Sequence, residues 1–302
     1  MTTDRLLEGL NQRDPRAIGR AISLVENGDV NAEAILSSLD ENLVSQATIL
    51  GITGPPGAGK STLTNEIISQ LRQRKERIGI IAIDPSSPIS GGAILGDRIR
   101  MMQHATDEDV VMRSMASRGR LGGLCATAGA AVRIMASCGC STIIIETVGV
   151  GQSEMDIIRL ADITLLVLAP GLGDDIQAMK AGLLEVADLL VVNKADCPGA
   201  ETLAMDLEAV VRKGSATPIE VSMTVATEGK GVAELLDRIA IVDNKHRDSG
   251  EREKRRLQAH NHEVLDWCLE ILRPELLVKI LKSDLSLLGD PRLKAKKILE
   301  EK

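Results

Sequence analysis

No phenylalanine and no tyrosine occur among the 302 residues, and Trp267 is the only tryptophan. Aromatic rings normally supply large blocks of buried area, so the core must be filled by Leu, Ile, Val and ten Met. The absence also removes base stacking on aromatic platforms, the usual way of holding single-stranded nucleic acid. A basic excess is missing too: 36 Lys and Arg stand against 43 Asp and Glu, a net charge of −7. General nucleic-acid binding, which rests on neutralising phosphates, is therefore not expected. No apolar run approaches the roughly 18 residues of a membrane span, since the stretch 163–169 is cut off by Pro170 and Gly171. Asp4, Glu8 and Asp14 interrupt any apolar leader, so no membrane partner and a cytoplasmic location are the expectations.

Cysteine is sparse and odd in number, five in all, which does not describe a disulfide framework. Cys138 and Cys140 form a Cys-Gly-Cys pair, but no second Cys/His pair at ligand spacing accompanies it, and Ser141 to Ile145 reads as a buried strand. His246, His260 and His262 are expected on solvated helix faces.

From residue 48 to 241, short β-branched runs alternate with helical segments, with strands near 48–53, 78–83, 109–112, 142–146, 163–168, 188–192 and 218–222. This alternation predicts an α/β fold: a mostly parallel sheet with helices on both faces, flanked by helical N- and C-terminal extensions. The expected organisation is 1–46, a helical prologue; 47–242, the α/β domain; and 243–302, a helical arm. Pro274 and Pro291 are expected to divide that arm into short helices, and the charge run Glu251 to Arg256 to be a solvated face.

The strongest motif is Gly54, Pro55, Pro56, Gly57, Ala58, Gly59, Lys60 and Ser61, which fits the phosphate-binding loop G-x-x-x-x-G-K-[ST] and sits between an apolar strand and an amphipathic helix. Its backbone N–H groups and helix N-terminus suit phosphates. Lys60 would reach the β- and γ-phosphates, and Ser61 would ligate Mg²⁺. Asn193, Lys194 and Asp196 follow the apolar strand 189–192. A carboxylate at Asp196 can accept both N1–H and the 2-amino group of guanine, an edge adenine lacks, so GTP and GDP are the expected ligands. Asp84, Asp97 and Glu146 stand at strand ends or adjoining loops, where a carboxylate can hold Mg²⁺ or its waters. Gly149 lies where an N–H could sense the γ-phosphate. Val150 follows where a water-orienting Gln would help, so unaided hydrolysis is expected to be slow, with Gln152 further on.

These segments, together with 84–87, 95–100, 113–116, 146–152 and 170–180, resemble the MeaB/ArgK family of P-loop GTPases over roughly residues 15–240. The resemblance implies a GTPase chaperone for an adenosylcobalamin-dependent acyl-CoA mutase, typically methylmalonyl-CoA mutase, that gates cofactor loading and protects its client. It implies phosphate and Mg²⁺ roles for Lys60, Ser61 and Thr62, and metal and switch roles for Asp84, Asp97 and Glu146. The loop 170–180 resembles an additional switch, with Lys180 coupling nucleotide state to the mutase, and the tail resembles a dimerisation arm. The guanine-contacting turn departs from the family: this chain reads Thr224, Val225, Ala226, Thr227 before Gly229-Lys-Gly231. The Ala226 N–H is the expected contact to guanine O6. A homodimer is expected, because the apolar spacing after Arg255 has no obvious partner within the domain. Arg98, Arg113 and Arg118 are candidates to approach the phosphates. Two other readings are a transport-associated protein kinase or ATPase, which needs an acceptor site, and a nickel-insertion GTPase, which needs a Cys/His cluster.

Overall fold

A computed structural model describes residues 2–84, 104, 106–116, 123–147, 159–172, 183–214, 219–282 and 290–300. Four short helices come first, α1 (Thr3–Asn11), α2 (Pro15–Glu26), α3 (Ala32–Ser37) and α4 (Glu41–Gln46). Local chemistry marks their starts: the Asp14 carboxylate accepts from the Arg16 N–H ahead of Pro15 at the first helical position, and Asp40 caps α4 through Asn42 and Leu43.

The α/β body then runs β1 (Thr48–Thr53), α5 (Lys60–Gln73), β2 (Ile78–Asp84), β3 (Val110–Ala116), α6 (Gly123–Ser137), β4 (Thr142–Thr147), β5 (Ile163–Leu168), α7 (Leu183–Val186), β6 (Leu189–Asn193), α8 (Ala200–Gly214), β7 (Glu220–Thr224) and α9 (Val232–Asp248). The strands form one sheet in the order β3-β2-β4-β1-β5-β6-β7, and every pairing is parallel. All seven strands expected from the sequence are present; β3 continues to Ala116, well beyond the expected residue 112.

Period-two alternation sorts the strands between two faces. Ile78, Ile80, Ile144, Leu165 and Val191 pack under α5 and α9. Ile81, Ile83, Ile143 and Ile145 face α6 and the N-terminal helices. Beside them, Leu166, Leu168, Leu190 and Val192 face α7 and α8. Small residues replace rings as the means of close packing: a Cβ on Gly79 would lie 2.8 Å from Met135 Sδ. At one sheet edge Arg238 donates to the Val221 carbonyl at 2.8 Å, blunting β7 against further pairing.

The tail is α10 (Glu251–Lys282) and α11 (Pro291–Glu300). Pro274 does not end α10, which carries it inside a 32-residue helix. The charge run is not a solvated face either. Arg252 is 2% exposed and pairs with Asp243 at 3.1 Å and Asp162 at 3.5 Å. Arg255 grips Asp188 at 2.8 and 2.9 Å, and Arg256 grips Asp162 at 2.7 and 2.8 Å. Asp162 also accepts the Ile49 N–H at 2.9 Å, and Asp188 accepts the Thr164 N–H at 2.8 Å. The arginines turn inward, Arg252 buried and Arg255 and Arg256 half-buried, because two aspartates at the amino edge of the sheet need cations once they are desolvated. His246 joins this cluster, half-buried with Nε2 3.6 Å from Asp188, whereas His260 and His262 are exposed as expected. Farther along α10, Glu263 fits against Gly129, whose Cβ would lie 2.6 Å from its Oε2. There Glu263 accepts two hydrogen bonds from Arg133, at 2.6 and 2.7 Å.

Candidate nucleotide-binding site

The phosphate-binding loop leaves the carboxyl end of β1, where parallel α/β sheets place ligands. Its backbone takes shapes that only glycine adopts at low cost. Gly54 has φ +142°, and a Cβ there would stand 2.0 Å from the Val167 carbonyl oxygen. Gly59 has φ +87°, and its Cβ would meet Asn193 Nδ2 at 2.4 Å. Because Gly59 caps α5 with no side-chain hydrogen bond, the first-turn amides of Lys60, Ser61 and Thr62 face the loop's concavity at the positive end of the helix.

Lys60 is buried, and Nζ donates to the loop carbonyls of Gly54 at 2.8 Å and Pro55 at 3.0 Å. Ser61 Oγ donates to Glu146 Oε1 at 2.5 Å. The sheet register brings these two together: Glu146 stands beside Ile52, so the end of β4 lies against the start of the loop. A cavity of about 670 Å³ opens here, lined among others by Gly57, Lys60, Ser61, Thr62, Asn65, Glu146, Thr147 and Lys194. Serine hydroxyl and carboxylate are hard oxygen donors side by side at a helix N-terminus, a set that suits Mg²⁺, which keeps several of its waters. Asp84 ends β2, one position past the residue paired with Thr147. Asp97, Gly149 and Lys180 lie outside the described residues, as do Arg98, Arg118, Val150 and Gln152.

Asn193 links the phosphate loop to the turn after β7. Its Nδ2 donates to the Ala58 carbonyl at 3.0 Å, and its Oδ1 accepts from Thr224 Oγ1 at 3.1 Å and from the Ala226 N–H at 3.2 Å. Both ends of the buried amide are spent on protein, tying the phosphate loop to the turn after β7. Thr224 supplies a hydroxyl to this tie, and the Ala226 N–H donates to the same Asn193 oxygen. Val225 and Ala226 are buried, and Thr227 is exposed at the tip of the 3₁₀ turn Ala226–Glu228. Lys194 adopts φ +57° and is exposed, which lets the chain reverse so that Asp196 stands at the surface. Asp196 and the neighbouring turn are close: the hydrogen bond that Lys230 donates to Glu228, and more weakly the charge of Asp196, hold the Lys230 ammonium above its ordinary range.

Arg113 is not available to phosphate. It donates to Ser23 Oγ at 3.0 Å and pairs closely with Glu26, both on α2. The Cys-Gly-Cys pair is core: burial pushes the Cys138 thiol up to about 11 and the Cys140 thiol to about 12, far from the thiolate a soft metal needs. Among the described residues no group of three His, Cys, Asp or Glu side chains could hold a metal ion, and no helix is long and apolar enough to cross a membrane.

Residues 18–282 match the family model for methylmalonyl-CoA mutase-associated GTPase MeaB. The chain belongs to the MeaB family. A provisionally named GTPase of Pyrococcus horikoshii is 48% identical over 260 residues, covering 84% of this chain and 82% of that protein. GTPase ArgK of Escherichia coli is 35% identical over 246 residues, 78% of this chain and 74% of its own. The mouse protein named methylmalonic aciduria type A homolog, mitochondrial, is 33% identical over 287 residues, 88% of this chain and 68% of its own. Among solved structures, a LAO/AO transport system kinase superposes with a TM-score of 0.68 at 25% identity, over 99% of this chain and 97% of that one. HypB of Helicobacter pylori, solved with nickel, shares the fold at a TM-score of 0.51 and 14% identity, over 71% of this chain and 95% of that one.

Two features of the structure had only faint marks in the sequence. Thr224 gains its contact from the register that sets it beside Asn193. The buried arginine cluster could have been suspected from Ala161-Asp162 and Ala187-Asp188, each an acid set immediately before an apolar strand, and from Arg252, Arg255 and Arg256 at one-turn spacing.

Proposed function

We propose that this protein binds and hydrolyses GTP as a chaperone of an adenosylcobalamin-dependent acyl-CoA mutase of the methylmalonyl-CoA mutase type, gating cofactor loading and protecting the mutase. The observation that carries the reading is the single polar cavity in which Lys60, the Ser61–Glu146 pair and the α5 amides converge, joined through Asn193 to the turn beside Asp196. On this reading Lys60 exchanges its two carbonyl acceptors for β- and γ-phosphate oxygens, and the loop amides take the rest. Ser61 and Glu146, with Asp84 and Asp97, would hold Mg²⁺, which when bound supplies charge neutralisation between the β- and γ-phosphates. Asp196 takes the guanine edge, with the exposed Thr227 turn alongside. The family name supports the mutase as partner.

With Val150 in place of a water-orienting side chain, intrinsic turnover is expected on the order of 10⁻⁴ to 10⁻² s⁻¹. Bound mutase is expected to raise it by roughly 10² to 10³-fold by ordering the loops that carry Asp97, Glu146 and Lys180, a gain of about 3 to 4 kcal/mol. Lys180→Ala should leave GTP affinity nearly intact and remove most of the stimulation. Phosphate release measured with and without the cognate mutase decides it: fast turnover by the protein alone, or full stimulation retained by Lys180→Ala, would overturn the mechanism.

A homodimer is the second part of the proposal, with residues 243–302 as its arm. Its support is that α10 is amphipathic the wrong way round. Arg252, Arg255, Arg256 and Glu263 face the body, while Leu257, Val264, Leu265, Leu269 and Leu272 are all 45–62% exposed. An outward apolar stripe on a helix pinned by its polar side needs another surface to cover it. Sedimentation at micromolar protein should show a dimer, and Leu265→Glu with Leu269→Glu should dissociate it without unfolding the body; a wild-type monomer contradicts this.

A further inference from the structure

We infer that Asn65 is a positioning residue for the hydrated cation beside the phosphates, and thereby sets how strongly nucleotide binding depends on Mg²⁺; the inference rests on the nucleotide reading above. Asn65 belongs to none of the motifs that mark this site. It lies four residues after Ser61 on α5, hence on the same helix face one turn further in, and it lines the same cavity as Ser61, Glu146 and Thr147. The backbone beneath it is tightly held. The Asn65 carbonyl accepts from Ser69 Oγ at 3.0 Å and lies 3.3 Å from His104 Nε2. Two turns on, Arg72 fastens α5 to Asp107 and Asp109, each at 2.8 Å. Arg72 thus holds the helix that carries Ser61 through groups other than the Asn65 side chain.

The chemistry suits a shell of water better than the ion itself. Mg²⁺ takes few protein ligands, and the waters it retains need acceptors held at a fixed place. Ser61 and Glu146 occupy the mouth of the helix; one turn further along α5 the Asn65 carboxamide lines the same cavity. Its neutrality matters as well. Among the described residues lining the cavity, Lys60 and Lys194 are balanced by Glu146 alone, so the site stays receptive to a polyphosphate. A second carboxylate at position 65 would strengthen the hold on the cation and repel the nucleotide.

The test follows release of fluorescently labelled GDP from the full chain across a Mg²⁺ titration and in excess chelator. Asn65→Ala is expected to raise the Mg²⁺ concentration that half-maximally slows release by about tenfold, while release in chelator changes by less than about twofold. Asn65→Gln, which keeps the amide, should recover part of the loss. Asn65→Asp should shift the titration to lower Mg²⁺ and speed release in chelator. An unchanged titration for Asn65→Ala and Asn65→Asp, or equal acceleration with and without Mg²⁺, overturns the assignment to Asn65 alone. A wild-type chain that fails to bind GDP, or whose release ignores Mg²⁺, overturns the nucleotide reading and this inference with it.

Discussion

Asp196→Asn is expected to reverse nucleoside choice. The wild-type protein should bind GTP and GDP more tightly than ATP by about 10⁴-fold, because a carboxylate built to accept two adjacent donors loses both when adenine replaces guanine. An amide in its place keeps one acceptor and adds a donor. Xanthine, which carries a carbonyl where guanine carries its 2-amino group, meets that donor, so affinity should pass from GTP to xanthosine triphosphate. The geometry around Asp196 makes the substitution clean. Backbone hydrogen bonds fix the turn: the Ala195 N–H donates to the Thr224 carbonyl at 3.0 Å, and the Cys197 N–H to the Lys194 carbonyl at 2.9 Å. Asp196 itself is exposed, so the variant should fold as the wild type does. Calorimetric titration of the four protein and nucleotide combinations provides the check. Equal wild-type affinities for ATP and GTP, or an Asp196→Asn variant still selective for GTP, would sink the assignment.

The second large effect is on stability, at the far edge of the sheet. Asp162 is 1% exposed and serves Arg252, Arg256 and the Ile49 N–H at once. Asp162→Ala takes the carboxylate from half-buried Arg256, leaves buried Arg252 with Asp243 as its remaining acid and strands the Ile49 amide, and the expected loss is about 3 to 5 kcal/mol in urea unfolding. The reciprocal change should cost far less. In Arg252→Met, Asp162 keeps Arg256 and Asp243 keeps Arg247 at 3.0 Å, so no charge is left alone and the Met fills the volume. A loss below about 2 kcal/mol is expected there. Burial already works against the Arg252 charge, lowering its pKa despite Asp162 and Asp243, which is why removing this cation is the milder operation. Because the cluster is buried, the Asp162→Ala penalty should persist at high salt, where surface pairs fade. Equal penalties for the two variants would show that the cluster does not hold α10 in the way described.

The same physics separates what could be read along the chain from what could not. Seven strands were legible because each is a short β-branched run between turn residues, and the phosphate loop because glycines and a following helix impose their own local geometry. Asn193 was legible as a polar residue at a strand end, but its partners were not. A tetrapeptide shows that an amide follows a strand; only the parallel register of β6 with β7 shows that Thr224 and Ala226 consume its oxygen and that Ala58 lies at its nitrogen. Arg113 misled for the same reason, since a cation near a strand end has no partner until α2 is laid across β3. The charge run 251–256 looked solvated because a helix wheel sees only its own residues. Asp162 and Asp188 are distant in sequence, and their burial at the amino edge of the sheet is what draws the arginines inward.

Sequence alone determined the α/β class, the phosphate loop, the choice of guanine as expected base and the family resemblance, since each is carried by short segments whose own residues display the pattern. Tertiary structure decided which of those residues touch each other: Ser61 with Glu146, Asn193 with the turn after β7, and the inside-out seating of α10. Such contacts join elements far apart along the chain, and their energies depend on desolvation that exists only once the sheet has closed around them.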